Sequence, residues 1–386
     1  DVYKRQEMAR LSLWLATLAR DHEFTFLDHA LRHGDALIGL PRSRIADLHW
    51  SARPESAQLA FPLIRPRIAR AAVERRRIRE ALDGEGEDVL RPILAGADAI
   101  LDNVRDIGNA ICAAWFGKTN ATARRLAQAK LESDYMAAGE TWQAALAEGR
   151  AVQARLVAAG HTYQPFHWDI EFPEVFEREN GGFDAVVGNP PYAGKNTYKK
   201  GNVPGFPEWL QAIHAGAHGN ADLSAHFFLR GYDLLREGGT LGFVATNTIR
   251  QGDTRESGLR ALLKRGATIT RATRRLRWPG DAAVIVCVVQ MVRGASVVTP
   301  VLDGREVSRI SAFLEEGRRD EAPVTLEASK GLAFQGSIPL GMGFTFDDET
   351  QDAAANRLAE MHRLTAADHP CGAHNALRIR PYLGGE

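Results

Sequence analysis

Apolar residues recur at helical spacing through much of the first half of the chain. Met8, Leu11, Leu15 and Leu18 are separated by three, four and three residues, with Trp14 beside them, and predict a helix almost from the first residue. Phe24-Thr25-Phe26-Leu27 is apolar and aromatic enough for a short strand, and a second apolar stretch, Ala36 to Leu40, follows a Gly34-Asp35 turn. Residues 68–160 are rich in Ala, Arg, Leu and Glu and nearly free of Pro. Within them Ile100, Val104, Ile107 and Ile111 share one helical face, and Gly160 stands where a C-terminal cap belongs. The spacing predicts several helices in succession.

From Phe166 the texture changes. Phe183 to Gly188 reads as a short buried strand. Leu223, Phe227, Phe228, Tyr232 and Leu235 make an amphipathic helix that Gly238-Gly239 should end. Thr240 to Ala245 reads as a strand, Leu259 to Leu263 as a helix, and Ala282 to Val292 as a long β-branched strand. This alternation is the rhythm of an α/β fold built on a doubly wound parallel sheet. Beyond about residue 300 the pattern turns irregular, with turns at Gly331, Gly336, Gly341 and Gly343, and predicts a separate C-terminal module.

Composition adds exclusions. With 45% hydrophobic and 25% charged residues, a disordered chain and a coiled-coil rod are both ruled out. The longest apolar run, Ala282 to Val289, falls far short of the ~20 residues a membrane span needs. Cys112, Cys287 and Cys371 show no pair spacing; they argue against a disulfide framework or a structural zinc, and fit a reducing cytoplasm. Net charge is zero, but ten Arg face four acids between Arg42 and Glu80, and nine Lys or Arg face two acids between Arg250 and Pro279. Such blocks fit either a one-sided positive surface or solvated helix faces. The chain opens on Asp1 with no signal-peptide pattern and closes mid-loop at Pro381 to Glu386, so a piece of a longer protein is expected.

The sharpest local feature is Asn189-Pro190-Pro191-Tyr192, directly after the strand at 183–188. In open α/β sheets ligands sit at the carboxyl ends of strands. An exocyclic amine on an aromatic base is a poor nucleophile because its lone pair is delocalised into the ring. Two acceptors aimed at its hydrogens, the Asn189 side-chain oxygen and the Pro190 carbonyl, would draw that nitrogen toward a tetrahedral form. Consecutive prolines fix φ and hold those acceptors in place. Tyr192 offers a face on which a planar base can stack, worth ~1–3 kcal/mol. The plain alternative is a proline-rich turn closing a strand. Lys195, Lys199 and Lys200 come next in the chain and are placed to hold phosphates beside a bound base, unless they simply decorate a solvated loop.

Together with Leu11-Ser12-Leu13-Trp14-Leu15, Phe26-Leu27-Asp28-His29, Gly34-Asp35-Ala36-Leu37-Ile38-Gly39, Phe166-His167-Trp168, Phe172-Pro173-Glu174-Val175-Phe176 and Arg380-Pro381-Tyr382-Leu383, the tetrad resembles the gamma-class N6-adenine DNA methyltransferases, especially the large enzymes of type II restriction-modification systems. The resemblance implies a Rossmann-like methyltransferase sheet, S-adenosyl-L-methionine as cofactor and double-stranded DNA as partner. It implies that the tetrad binds a flipped target adenine. It gives Asp35 the place of the acid that contacts the cofactor's adenine, and Trp278 loosely the place of an aromatic that closes the other face of the target base. On this reading residues 1–45 are an N-terminal remnant of the methyltransferase domain. Residues 46–162 are a mainly helical insertion, 163–298 the catalytic core and 299–386 the start of a target-recognition region.

One departure matters. The family's glycine-rich cofactor loop is expected upstream of residue 1, which would leave the sheet short of its first strands and Leu11, Trp14 and Leu15 poorly covered. Gly341-Met342-Gly343 reads as a turn. His22, His29 and His33 cluster and the last two are four apart, but no further ligand of convincing spacing joins that pair, so no metal is expected. Glu327-Ala328-Ser329-Lys330 has half the look of a nuclease centre but no matching acid upstream. Two rival functions stand beside DNA methylation. Protein-glutamine N5-methyltransferases use a similar tetrad on a planar amide but lack a long C-terminal module. A non-catalytic DNA-binding fragment would need no cofactor loop.

Overall fold

The structure is a computed structural model that describes residues 2–17, 27–52, 58–81, 85–278, 284–317, 320, 343, 345–349, 354–367 and 374–381. The chain divides into two compact units, Asp1–Asp320 and Glu321–Glu386.

The first unit opens with α1 (Val2–Thr17), then α2 (Phe61–Arg79), α3 (Glu87–Phe116), α4 (Ala121–Ala137) and α5 (Gly139–Ala158). The helical pattern of α1 is real, but Met8, Leu11 and Leu15 on it are exposed. On α3 the expected face is the buried one: Leu101, Val104, Ile107 and Ile111 are inaccessible to solvent, while Ile100 is only partly covered. Each fully buried side chain of this size contributes ~1.5–3 kcal/mol relative to exposure. Glu87 and Asp88 in the first turn of α3 complement its positive end. Asn120 caps α4, its Oδ1 accepting the Ala123 N–H at 2.9 Å. Gly160 lies just past α5 with φ of +85°, the left-handed geometry of a C-terminal cap.

Between the helices and the sheet, residues 34–40 run beside 164–167. Asp35 makes a single parallel bridge to Pro165, and the Phe166 N–H donates to the Ile38 carbonyl at 2.6 Å. No strand forms over Ala36–Leu40. Phe24 to Phe26 lie outside the described residues, and Leu27 is not in a strand. Two helical turns, Trp168–Glu171 and Pro173–Phe176, lead to the sheet. The second carries Glu174, which reaches back to Arg75 of α2 with Nε–Oε2 at 2.6 Å and Nη2–Oε1 at 3.1 Å.

The sheet has six strands in the order β1-β2-β4-β3-β5-β6: β1 (Phe183–Gly188), β2 (Leu235–Thr246), β3 (Thr268–Arg277), β4 (Ile285–Val292), β5 (Val301–Leu302) and β6 (Arg305–Glu306). Between β1 and β2 come α6 (Lys195–Gly201), α7 (Phe206–Ile213) and α8 (Leu223–Leu234). The strand–helix–strand rhythm expected from the sequence is present, and the fold is α/β. The sheet is mixed, not purely parallel: β1 and β2 are parallel, whereas β4 runs antiparallel to both β2 and β3. The reason is loop length. Only seven residues separate the end of β3 from the start of β4, too few for a parallel crossover.

Three expectations need correction. Gly238-Gly239 does not end the helix. α8 stops at Leu234 and β2 begins at once, with the two glycines inside a bulge where pairing jumps from Phe183–Leu235 to Ala185–Thr240. The strand expected over 282–292 starts at Ile285, with 282 and 283 outside the described residues. And β3 is a strand where the sequence pattern suggests only a basic block. In the second unit, α9 (Leu358–Ala366) is tied to Asn375, whose Nδ2 donates to the Leu364 and Ala367 carbonyls at 3.0 Å.

Candidate active site

β1 ends at Gly188, and the next four residues leave the carboxyl edge of the sheet. Pro190 is buried, Asn189 and Pro191 are exposed, and Tyr192 is half-buried. The Tyr192 hydroxyl donates to the Asn189 Oδ1 in a short hydrogen bond. Burial raises the pKa of the Tyr192 phenol, which keeps it protonated as a donor at neutral pH. The side-chain acceptor of Asn189 is therefore exposed at the sheet edge and already oriented by its neighbour three residues on. A carbonyl oxygen has a second lone pair, so it can still take an amine hydrogen.

The segment after the tetrad is pinned. The Ala193 carbonyl accepts the Leu223 N–H at 2.9 Å, fastening the turn to the start of α8. Asp222 caps that helix, its Oδ1 accepting from the Ser224 N–H at 2.9 Å and Oγ at 2.7 Å. Tyr198 of α6 is buried, and its hydroxyl donates to the Ala221 carbonyl at 3.4 Å. With Tyr198 turned inward, Lys195, Lys199 and Lys200 remain exposed on the other faces of α6. Lys195 Nζ donates to the Asn220 Oδ1 at 3.3 Å.

β2 ends at this same edge, three residues beyond the register partner of Gly188. Its continuation, Thr246-Asn247-Thr248-Ile249-Arg250, carries a Thr246–Thr248 hydroxyl contact of 2.6 Å and an Arg250 Nε donation to the Asn247 Oδ1 at 2.7 Å. Sequence reasoning alone misses this polar turn. The signal is a Thr-Asn-Thr run directly after an apolar strand, the same order of events as at Asn189. Trp278 is half-buried at the carboxyl end of β3, its N–H donating to the Val284 carbonyl at 3.0 Å. It shares the edge with the tetrad but stands three strand spacings of ~4.8 Å away.

Asp35 is placed differently. Its Oδ1 accepts the Leu37 and Ile38 N–H groups at 2.9 and 3.0 Å, closing its own turn. Burial pushes its carboxyl up, opposed by those two bonds and by the Arg230 guanidinium of α8. No hydrogen bond or ion pair links it to the tetrad among the described residues. A cavity of about 970 Å³ lies at the opposite, amino edge of the sheet, lined among others by Gly181, Arg230, His214, Leu235 and Arg293; the tetrad takes no part in it.

The chain belongs to the Eco57I restriction-modification methylase family, which it matches over residues 4–272. No curated protein matches it significantly. Among solved structures it is similar to the type IIL restriction-modification enzyme MmeI in complex with DNA, at 20% identity over 45% of this chain and 27% of that one, with a TM-score of 0.32. A putative class I S-adenosylmethionine-dependent methyltransferase from Listeria monocytogenes is 10% identical over 63% of this chain and 91% of that one, TM-score 0.25. A nuclease-deletion mutant of the type ISP restriction-modification enzyme LlaGI, in complex with a DNA substrate mimic, is 12% identical over 77% of this chain and 40% of that one, TM-score 0.24. Likenesses this slight carry no weight beside the family match and the geometry of the site.

The described residues do not fit S-adenosylmethionine as a complete site. One oxygen of Asp35 is spent on its own turn. Neither connection leaving the carboxyl edge after β1 or β2 carries the Gly-x-Gly turn whose N–H groups would cradle the cofactor's charged end.

Proposed function

We propose that this chain carries the base-binding half of a site-specific DNA adenine-N6 methyltransferase of a restriction-modification system, acting on double-stranded DNA in the cytoplasm. The observation that supports this most is the exposed Asn189 acceptor, oriented by Tyr192 at the carboxyl edge of β1, beside the Pro190 carbonyl. S-adenosylmethionine is the methyl donor this activity implies, and a segment beyond the described residues would complete its site. The chain's own residues act on the adenine. Asn189 Oδ1 and the Pro190 carbonyl accept the two amine hydrogens and restore lone-pair density on N6. Tyr192 stacks on the extruded base, whose removal from the duplex costs a few kcal/mol. No covalent enzyme intermediate is needed.

The test is Asn189→Ala in a protein carrying residues 1–386 in its natural reading frame. Methyl transfer to DNA adenine, read as N6-methyladenine after digestion to nucleosides, should fall by ~10²–10³, the usual loss for one transition-state hydrogen-bond partner. DNA affinity should stay within a few-fold. An equal fall in both would make Asn189 a structural residue and defeat the reading.

A further inference from the structure

β3 runs parallel to β1 and β2, because each of the two links through β4 reverses direction once. Its carboxyl end therefore projects over the same edge as Asn189–Tyr192. That end is irregular. Pairing with β4 shifts between Thr273 and Leu276, so an extra residue is inserted opposite Cys287. Arg275 sits in the insertion with φ of +51°, a left-handed backbone that a β-type Arg rarely adopts. Bulges of this kind re-aim side chains and cluster beside functional sites.

Charge points the same way. Among the described residues the acid at this end is matched: Asp303 accepts from the Arg274 guanidinium at 2.8 Å. Arg275 and Arg277 are exposed and make no side-chain hydrogen bond or ion pair among the described residues. The same holds for Lys199 and Lys200, so among the described residues cations without a partner stand beyond β1 and at the end of β3, with β2 and β4 between them. Three strand spacings of ~4.8 Å put β3 about 14 Å from β1. A nucleic-acid strand advances ~3.4 Å per residue, so that span corresponds to about four steps.

We infer that Arg275 and Arg277, presented by the bulge in β3, hold backbone phosphates of the target DNA about four steps from the base that enters the tetrad. This rests on the proposed action on DNA. Arginine suits the task because its planar fork matches phosphate oxygens and is always charged. Lys199 and Lys200 hold the backbone on the β1 side, so that the edge grips the duplex on both sides of the flipped base. Such contacts orient the duplex without reading its sequence.

The experiment is fluorescence anisotropy of the whole chain with a labelled duplex across a salt series. Arg275→Gly/Arg277→Ala is the informative variant. Gly accepts the positive φ at position 275 without strain, so lost binding does not arise from a misfolded bulge. Two phosphate contacts contribute ~1.8 to the slope of log affinity against log salt. Between 50 and 200 mM salt the wild type should then lose about 12-fold more affinity than the variant. Arg275→Lys should keep most of the slope. A wild type that binds with a steep slope and a variant with the same slope overturn the inference while sparing the DNA reading. A wild type with no affinity for duplex overturns both.

Discussion

Glu174→Ala tests how the helical half of the first unit is joined to the sheet. Arg75 of α2 is fully buried, and Glu174, two short turns before β1, is nearly so. Their contact is bidentate, with a further Arg75 Nη2 donation to the His29 carbonyl at 2.6 Å and the Phe172 ring 5.8 Å from the guanidinium. Among the described residues Arg75 Nη1 already lacks a partner. Removing the carboxylate would strand a guanidinium that cannot lose its proton and has no route to water. Breaking one side of such a pair costs ~3–5 kcal/mol. That is a large share of the ~5–15 kcal/mol that holds a folded domain together, and about a thousandfold in the folded-to-unfolded ratio. Replacing both partners, as in Arg75→Met/Glu174→Leu, removes charge and counter-charge together and should cost much less, within ~2 kcal/mol of wild type. Urea unfolding followed by tryptophan fluorescence reads both, since Trp115, Trp142 and Trp209 lie in the adjoining core. A loss under 1 kcal/mol for Glu174→Ala, or a double variant no better than the single, would refute the reasoning.

Gly39→Ala should destabilise by ~1–3 kcal/mol or more, because its Cβ would sit 1.9 Å from the Phe166 carbonyl oxygen, a backbone atom that cannot turn aside. Gly96→Ala on the exposed side of α3 meets nothing within 4 Å and should stabilise by ~0.8–1 kcal/mol; the same urea unfolding compares the two signs. Tyr192→Phe keeps the stacking face and frees the Asn189 acceptor, so methylation should stay within a few-fold, whereas Tyr192→Ala should lose ~1–3 kcal/mol of base binding. Kinetics in which Phe is as damaging as Ala would shift the role from ring to hydroxyl. His167 is buried, accepts the Leu40 N–H at Nδ1, and is pushed down to about 4 by burial from its usual 6.5. Its folded form resists protonation, so its contribution is full above pH 6.5 and is lost as pH falls toward 4, on the order of 3 kcal/mol in all. Asp35 and Asp169, whose carboxyls burial raises, act in the opposite sense in acid, so the clean readout is the difference from His167→Gln, which should flatten over that window.

The strands at 183–188 and 240–245 were legible as short apolar runs, but only the second is buried as expected: Leu241, Phe243 and Ala245 of β2 are covered, whereas β1 has no fully buried position and its Val187 is exposed, since β1 is an edge strand with one neighbour. The turn at Asn189–Tyr192 was legible because its parts are local: acceptor, prolines and aromatic ring are consecutive in the chain. Arg75 and Glu174 were not, since they are 99 residues apart and neither position carries a mark of its partner. Asp35 could be picked out as an acid in a turn, but its companions Gln164, Pro165 and Arg230 are set by tertiary packing.

β3 is the instructive failure. Ile269 and Ala272 are its fully buried positions, and the residues between and after them include Arg271, Arg274, Arg275 and Arg277. A strand at this place needs only a narrow apolar face, and the bulge at Arg275 breaks the two-residue period that would have disclosed it. Charge was the louder signal, so the segment read as a basic block. The two descriptions are of one object. A strand fixes the direction in which those arginines point, and the break in its period turns Arg275 out at the edge where the tetrad lies. The irregularity that hid the element from its sequence is the same one that gives the element its proposed use. Straightening it, by deleting Arg275 so that the shift between Thr273 and Leu276 is removed, should strengthen the sheet and weaken the grip on DNA together.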